Sequence, residues 1–173
     1  MTILVTGSAG HLGEAMLRTL RACGLTVHGV DWKKSAWTAA VGSIVDPGFV
    51  RAQMAGITAV IHTATLHKPH VATHAKQDFI DTNVTGTLNL LEAAADARVG
   101  SFVFTSTTSA FGSQLRPEAA TAAVWVTEGL PSVPKNIYGA SKLMAEELCE
   151  LFFRERGLPV VILRTSRFLS GSR

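Results

Sequence analysis

A glycine-spaced turn near the start of the chain constrains its fold more than any other feature. The apolar run Ile3-Leu4-Val5 leads into Gly7, Gly10 and Gly13, and helical spacing of apolar residues begins at about His11. In such a turn the first glycine permits a tight bend, the second lets the backbone approach a ligand, and the third allows the helix to pack closely on the strand. Because the helix N-terminus then faces the turn, the segment predicts a site for a pyrophosphate.

An acidic residue at the end of the second predicted strand strengthens this interpretation. Three glycines in seven residues also occur in ordinary strand-to-helix turns, and GxxGxxG spacing is less specific than GxGxxG. Asp31 lies eighteen residues past Gly13, where a carboxylate would accept hydrogen bonds from the ribose hydroxyls of a dinucleotide. Asp31 alone would equally suit a solvated strand end. Together the two features favour dinucleotide binding.

Short apolar runs alternate with longer helical patterns along the whole chain. Strands are predicted at residues 3–5, 26–30, 41–45, 59–61, 102–104 and 160–163, and helices at about 11–23, 47–55, 75–98 and 135–157. Strands separated by helices imply right-handed crossovers, and strand runs that are apolar throughout imply a sheet buried on both faces. The sequence therefore predicts one α/β domain over residues 1–173, a doubly wound parallel sheet in three αβα layers.

Composition excludes several classes of protein. Hydrophobic residues make up 47% of the 173 residues and charged residues 17%, which is typical of a well-cored globular chain. A net charge of +3, with scattered basic residues, argues against nucleic acid as the main partner. The two cysteines, Cys23 and Cys149, form no CxxC pair, so no disulfide framework or zinc knuckle is predicted. With no signal-type segment and no apolar run of about 18 residues, we expect a cytoplasmic protein with no membrane partner.

A tyrosine–lysine pair lies late in the chain. Tyr138 is the only tyrosine, and Lys142 follows it by four residues, so the two share a face if the segment is helical. An ammonium beside a phenol favours the phenolate and lowers the pKa of the tyrosine toward working pH. The pair is therefore a candidate for proton transfer, and a helical surface pair is the alternative for this motif taken alone.

Five segments now occur in a characteristic order. They are the glycine turn, Asp31, Asn83-Val-Thr-Gly-Thr-Leu-Asn-Leu-Leu-Glu-Ala, Phe102-Val-Phe-Thr-Ser-Thr-Thr-Ser-Ala-Phe-Gly and Tyr138-Gly-Ala-Ser-Lys142. In this order they resemble the extended short-chain dehydrogenase/reductase family, of the NAD-dependent epimerase/dehydratase type. The resemblance covers essentially the whole chain and implies a Rossmann fold.

The resemblance also implies an NAD site. The residues that it assigns to the cofactor are Gly7, Gly10, His11, Leu12, Gly13, Asp31, Asp46, Ala64, Asn83, Tyr138 and Lys142. Among them, Asp46 matches the position that contacts adenine, and Ala64 matches the end of the fourth strand, which passes the cofactor. Asp31 should repel a 2′-phosphate, so NAD is favoured over NADP, although Lys33 and Lys34 lie beside it.

A catalytic group follows from the same resemblance. Thr107, five residues before Gly112, matches the hydroxyl that hydrogen-bonds the substrate oxygen. Tyr138 would exchange its proton with the substrate, and Lys142 would hold the nicotinamide ribose and tune Tyr138. The hydride itself moves between nicotinamide and substrate carbon.

Two departures from the family pattern narrow this expectation. The family's dehydratases follow the active threonine with Asp-Glu, whereas this chain has Thr108 and Ser109, so dehydratase chemistry is disfavoured. Family members also continue beyond the position of Arg173 into a smaller substrate-binding lobe. We therefore expect most of that lobe to be lacking, and the chain to self-associate, for example as a homodimer, or to be only marginally stable.

The predicted activity is oxidation or reduction of a small-molecule substrate at a secondary alcohol or ketone. It would run either as a net dehydrogenase/reductase reaction or as transient oxidation within a sugar epimerase, with a nucleotide sugar among the candidate substrates. A dinucleotide-binding module or sensor without turnover is the alternative, because most of the substrate lobe is expected to be lacking.

A histidine cluster, two arginines and an irregular segment carry weaker signals. The densest histidine cluster comprises His62, His67, His70 and His74. Imidazoles can bind a divalent metal, but no Cys or acid accompanies these before Asp78, and polar loop residues over the cofactor are favoured over a metal site. Arg164 and Arg167 either face the substrate or are solvated. The irregular stretch 113–134 is expected to be a loop bordering the site.

Overall fold

The computed structural model describes residues 1–115 and 124–166. Its strands are β1 (Thr2–Thr6), β2 (Thr26–Asp31), β3 (Ala40–Val41), β4 (Ala59–His62), β5 (Ser101–Thr107) and β6 (Val160–Thr165). Its α-helices are α1 (His11–Ala22), α2 (Pro47–Gln53), α3 (Lys76–Phe79), α4 (Gly86–Asp96) and α5 (Ile137–Arg156). Over these described ranges, none of the helices combines the length and the apolar character that a bilayer crossing requires.

The six strands form one parallel sheet with the order β3-β2-β1-β4-β5-β6. The prediction of a doubly wound parallel sheet is confirmed. The chain builds outward from β1 in both directions, so the connections after β1 and β4 leave toward opposite sides and open a crevice at the carboxyl ends of these strands. This crevice is where a ligand binds in folds of this kind.

Apolar residues on the two sides of the sheet form two separate cores. Alternate β1 residues Ile3 and Val5 pack with Leu17 of α1 on one side. Leu4 faces the other side, in the larger core that includes Phe102, Phe104 and buried residues of α2, α4 and α5. The sheet is therefore the middle of three layers, as predicted.

The third strand is shorter than predicted. The sequence suggested residues 41–45, but β3 ends at Val41. A side chain at position 42 would overlap the Phe49 ring, and the Asp46 amide donates to the Ser43 carbonyl at 3.1 Å. The chain therefore turns directly after β3 and enters α2 instead of extending the sheet.

The helix predicted over residues 75–98 is continuous but irregular. Between α3 and α4 the chain forms a π-helical segment, Ile80–Thr85. The sequence pattern did not indicate it. Such segments are rare and occur frequently at functional sites, and this one carries the buried Asn83.

Candidate active site

The glycine turn between β1 and α1 has the geometry expected from its spacing. Gly7 has φ +74°, a conformation that side chains disfavour. A Cβ at Gly13 would overlap the Gly7 carbonyl oxygen and lie 2.6 Å from the Gly7 carbonyl carbon, so α1 could not approach the turn so closely. Gly10 is exposed, and the nearest atom to a Cβ there is the Gly7 carbonyl oxygen at 3.2 Å. The fold itself requires Gly7 and Gly13, whereas Gly10 leaves an open backbone surface.

The first turn of α1 is suited to an anion. Gly10 is the N-cap residue and supplies no side-chain cap, so no side chain of the N-cap satisfies the first amides of the helix, at His11, Leu12 and Gly13. These amides and the helix dipole favour negative charge. The turn therefore fits a phosphate group.

Asp31 joins β2 to the glycine turn. The residue is 9% exposed, and its carboxylate accepts the Ala9 amide at 3.0 Å and the Lys33 amide at 2.8 Å. The Lys33 ammonium lies 4.6 Å from the centroid of the exposed Trp32 ring. The predicted ribose-binding carboxylate is thus fixed beside the turn, where its remaining lone pairs can accept hydroxyl groups.

The end of β4 lies against the same turn. The Thr6 hydroxyl oxygen accepts the Thr63 and Ala64 amides, both at 3.2 Å. A Cβ at Gly7 would come within 2.8 Å of the Ala64 nitrogen. The structure therefore brings Ala64, predicted from the sequence, directly against the glycine turn.

His62, the last residue of β4, is a buried neutral imidazole. Its Nε2 lies 2.9 Å from the Thr87 hydroxyl, which donates to the Asn83 carbonyl at 2.7 Å. The Thr87 hydrogen is thereby used, so Nε2 donates and Nδ1 accepts from Thr6 at 2.7 Å. Burial, and secondarily the charge of Lys142, hold the pKa of His62 well below its usual value. The interpretation of all four clustered histidines as loop residues is therefore wrong for His62.

The side chain of Asn83 is hydrogen-bonded to other residues of the chain, and its predicted contact with the cofactor stays a prediction. Its Oδ1 accepts the Leu66 amide at 2.8 Å and the Thr65 hydroxyl at 2.9 Å. Its Nδ2 donates to the Leu66 carbonyl and the Ser141 hydroxyl, both at 2.9 Å. Every polar atom of the side chain is thus engaged within the chain, and Asn83 ties the loop after β4 to α5.

Asp46 begins α2. Its Oδ1 accepts the Gly48 amide at 2.8 Å and the Phe49 amide at 3.2 Å. Asp followed by Pro47 is a helix-start signal that sequence reasoning passed over. The structure thus gives Asp46 a capping role, and its predicted contact with adenine stays a prediction.

Thr107 and Tyr138 meet at the carboxyl end of β5. Thr107, 5% exposed, ends the strand, and Tyr138 lies in the first turn of α5, close enough for the Thr107 hydroxyl to lower the pKa of its phenol. The Asn136 side chain caps that helix by accepting the Gly139 amide at 3.1 Å. A Cβ at Gly139 would lie 2.6 Å from the Ser109 carbonyl oxygen. Gly139 is thus a further residue, missed in the sequence, that brings Tyr138 close to Thr107.

Lys142 lies one turn later on α5 and is buried. Its ammonium is 3.9 Å from the centroid of the Phe104 ring, and burial lowers its pKa to about 7. Burial raises the pKa of Tyr138, against a smaller lowering by the nearby Thr107 hydroxyl. The expectation that Lys142 lowers the pKa of Tyr138 is wrong for this structure, because the ammonium is packed on Phe104 and is itself only weakly basic.

Arg164 is not simply solvated, which was one of the two interpretations of the sequence, and whether it faces the substrate stays a prediction. Its Nη2 lies 2.6 Å from Oε2 of the buried Glu146. Sequence reasoning missed Glu146, although its position four residues after Lys142 places the two on one helix face. Arg167 and residues 116–123 of the predicted loop lie outside the described residues.

Of the other three clustered histidines, His70 lies within a short 3₁₀ segment, Lys68–Ala72, while His67 precedes it and His74 follows it. The His67 and His70 ring centroids are 4.5 Å apart, and those of His70 and His74 are 4.9 Å apart. Burial, then the neighbouring charges, lowers the pKa of His70. Over residues 1–115 and 124–166, no group of three or more His, Cys, Asp or Glu side chains is arranged to hold a metal ion.

The fold and these side chains define a Rossmann-type domain with a dinucleotide-type turn and a hydroxyl–phenol pair at the carboxyl ends of its strands. The chain belongs to the NAD dependent epimerase/dehydratase family, whose model matches residues 3–172. The resemblance found in the sequence is confirmed, and the family's name includes the predicted cofactor.

Known relatives within this family include both epimerases and dehydratases. The UDP-glucose 4-epimerase of Azospirillum brasilense is 32% identical, over 94% of this chain and 47% of the relative. The dTDP-glucose 4,6-dehydratase of Streptomyces niveus is 33% identical, over 95% of this chain and 53% of the relative. The chain thus spans about half the length of these relatives.

Solved structures show the same fold. A short-chain dehydrogenase/reductase superfamily protein from Agrobacterium tumefaciens, solved with bound NAD, has a TM-score of 0.83 at 36% identity, over 95% of this chain and 48% of that one. The UDP-glucose 4-epimerase of Thermus thermophilus in complex with NAD has a TM-score of 0.81 at 30% identity, over 95% of this chain and 54% of that one.

Proposed function

We propose that residues 1–173 form the NAD-binding domain of an enzyme that transfers hydride at a secondary alcohol or ketone of a nucleotide sugar, with Thr107, Tyr138 and Lys142 as its reactive side chains. The observation that carries this proposal is the placement of Thr107, at the end of β5, beside the first turn of α5, which carries Tyr138 with Lys142 one turn further on the same helix face. These three residues lie at the same edge of the sheet as the glycine turn, because the carboxyl ends of parallel strands all lie at one edge.

The residues around β1, β2 and β4 fit a dinucleotide. Gly10 leaves backbone open to a pyrophosphate, and the uncapped first turn of α1 offers amides to it. Asp31 would accept the ribose hydroxyls and repel a 2′-phosphate, so NAD should bind more tightly than NADP. NAD, when bound, supplies a carbon that accepts and returns hydride.

The chain's own groups supply the proton chemistry. Burial keeps Tyr138 protonated, so its phenol is suited to deliver a proton to a substrate carbonyl oxygen. Lys142, one turn further on the same face of α5, would hold the nicotinamide ribose. The Thr107 hydroxyl, held near Tyr138, would orient the same substrate oxygen.

Redox or epimerase chemistry is favoured over dehydration. Thr108 and Ser109 form the 3₁₀ turn that follows Thr107, and neither side chain can act as a carboxylic acid or carboxylate base in water elimination. The relatives include both kinds of enzyme, so this difference in residue type is what separates the two activities here.

Cofactor titration followed by a substrate screen tests the proposal. NAD and NADP are titrated by calorimetry, and the protein is then assayed with UDP-glucose, dTDP-glucose and simple secondary alcohols. We expect tighter binding of NAD and an epimerised or oxidised product, with no 4,6-dehydration. Tighter NADP binding would contradict the role of Asp31, and tight NAD binding without turnover of any substrate would favour the binding-module alternative.

A further inference from the structure

A buried cluster of charge lies behind Tyr138 and Lys142 on the same face of α5. Glu146, 3% exposed, is one turn beyond Lys142. Its Oε2 accepts from Arg164, at 2.6 Å from Nη2 and 3.0 Å from Nε, and its Oε1 lies 3.1 Å from Nε. The Ser106 hydroxyl also donates to Oε1. Glu146 is therefore held by two strands at once.

These contacts connect the strand that ends in Thr107 to the helix that carries Lys142. Ser106 precedes Thr107 directly and pairs in register with Arg164 of β6. The Arg164 guanidinium lies 4.7 Å from the centroid of the Phe111 ring. Because Glu146 binds both Ser106 and Arg164, it fixes the end of β5 and the middle of α5 relative to each other.

Glu146 is also a buried carboxylate one turn beyond the Lys142 ammonium on the same helix. Burial lowers the pKa of Lys142, while Cys149 and Glu146 raise it. Burial in turn raises the pKa of Cys149 to about 12, so near neutral pH its thiol carries no charge. Within residues 1–115 and 124–166, the ionisable groups that face or adjoin Lys142 are Tyr138, Glu146 and Cys149 on α5, His62 on β4 and, behind Glu146, Arg164 on β6.

We propose that Glu146 is a positioning residue that keeps the Lys142 ammonium charged and holds it in register with Thr107 and Tyr138. Tyr138 and His62 are neutral near pH 7, so Glu146 is the carboxylate that offsets the cost of burying the ammonium. The consequence for turnover rests on the proposed function, whereas the effect on the charge of Lys142 is a property of the chain itself.

The charge of Lys142 can be followed directly by NMR. Lysine side chains are labelled with ¹³C at Cε and titrated from acid through alkaline pH, and the Lys142 signal is identified by its loss in Lys142→Met. We expect a wild-type midpoint of about 7. In Glu146→Gln, which keeps the shape but removes the charge, the midpoint should fall by about one pH unit.

Two further variants separate charge from structure. Arg164→Met breaks the same ion pair but leaves the carboxylate of Glu146, so the Lys142 midpoint should stay or rise. Glu150→Gln removes a carboxylate on the same helix that also pairs with an arginine, Arg154, but at an exposed position, and should leave the midpoint unchanged.

The results can overturn the proposal in either of two ways. An unchanged Lys142 midpoint in folded Glu146→Gln would make the role of Glu146 structural only. If that variant does not fold, a fall of the midpoint in Arg164→Met contradicts the proposal by itself. NAD titration of the wild-type protein is run in parallel: absence of NAD binding would reject the proposed function while leaving the test of Glu146 valid.

Discussion

Replacing Gly13 by alanine places a methyl group in the closest contact between α1 and the turn before it. The new Cβ would lie 2.6 Å from the Gly7 carbonyl carbon and 3.1 Å from the Ser8 Cα, besides overlapping the Gly7 oxygen. These are backbone atoms of the turn, so no flexible side chain can move aside. Either α1 must shift outward or the turn must open.

The net effect of Gly13→Ala combines two opposing terms. Overpacking costs about 1–3 kcal/mol, and more where backbone has to move. Alanine gains about 1 kcal/mol over glycine in helix propensity. Because the overlap involves several backbone atoms, we expect a net loss of about 2 kcal/mol or more, which lowers the melting temperature by about 4–8 °C in a chain of this size.

Gly10→Ala separates the ligand site from the fold. A methyl group at this exposed position meets only the Gly7 oxygen at 3.2 Å, so loss of the preferred N-cap residue should cost only about 0.5–1 kcal/mol. The methyl group would occupy the space left for a pyrophosphate. We therefore expect a nearly unchanged melting temperature and NAD affinity weakened about tenfold or more, roughly 1.4 kcal/mol.

Thermal melts and NAD titrations of both variants are the assay. Gly100→Ala is the control, because a Cβ there would make only an ordinary contact, at 3.6 Å from the Thr58 carbonyl oxygen. Its melting temperature and its NAD affinity should both resemble those of the wild type. Wild-type NAD affinity in Gly10→Ala would refute the assignment of this turn to the cofactor. Wild-type stability in Gly13→Ala would refute the packing argument.

Three further predictions concern the polar residues of the site. Asp31→Asn should weaken NAD binding about tenfold and reduce the preference over NADP; titration of both cofactors checks this, and an unchanged preference would contradict it. Lys142→Met should weaken both turnover and NAD affinity, whereas Thr107→Val should slow turnover alone; equal effects of the two on affinity would count against these roles. The pKa of His62 is lowered in the folded state, so the unfolded chain takes up the proton first as the pH falls. The free energy of unfolding should therefore decrease as the pH drops below about 6.5, by up to about 1.4 kcal/mol per pH unit. Urea unfolding at stepped pH measures this loss, which should shrink in His62→Gln.

Local signals in the sequence were enough to predict much of the site. The spacing of Gly7 and Gly13 predicted a tight turn between strand and helix, and the structure shows the close packing of α1 on this turn. Strand runs buried on both faces indicated the parallel sheet, and the four-residue spacing placed Tyr138 and Lys142 on one helix face. Each of these features depends on residues near one another in the chain.

Features that depend on distant contacts could not be predicted in this way. The salt bridge between Glu146 and Arg164 joins a helix to a strand eighteen residues later, and no local pattern pairs them. The raised pKa of Tyr138 reflects burial by surrounding elements. Asp46 is a different case, because Asp46-Pro47 is a local helix-start signal, whereas the family resemblance assigned Asp46 to the cofactor.

The central claim is that Tyr138 exchanges a proton with the substrate while other residues hold the cofactor. Turnover of a nucleotide sugar and NAD affinity, measured side by side for wild type and Tyr138→Phe, test this most directly. Loss of a positioned acid/base group should slow turnover by about 10²–10⁴-fold, while NAD affinity changes little. Full activity in Tyr138→Phe would contradict the mechanism, whatever its affinity for NAD.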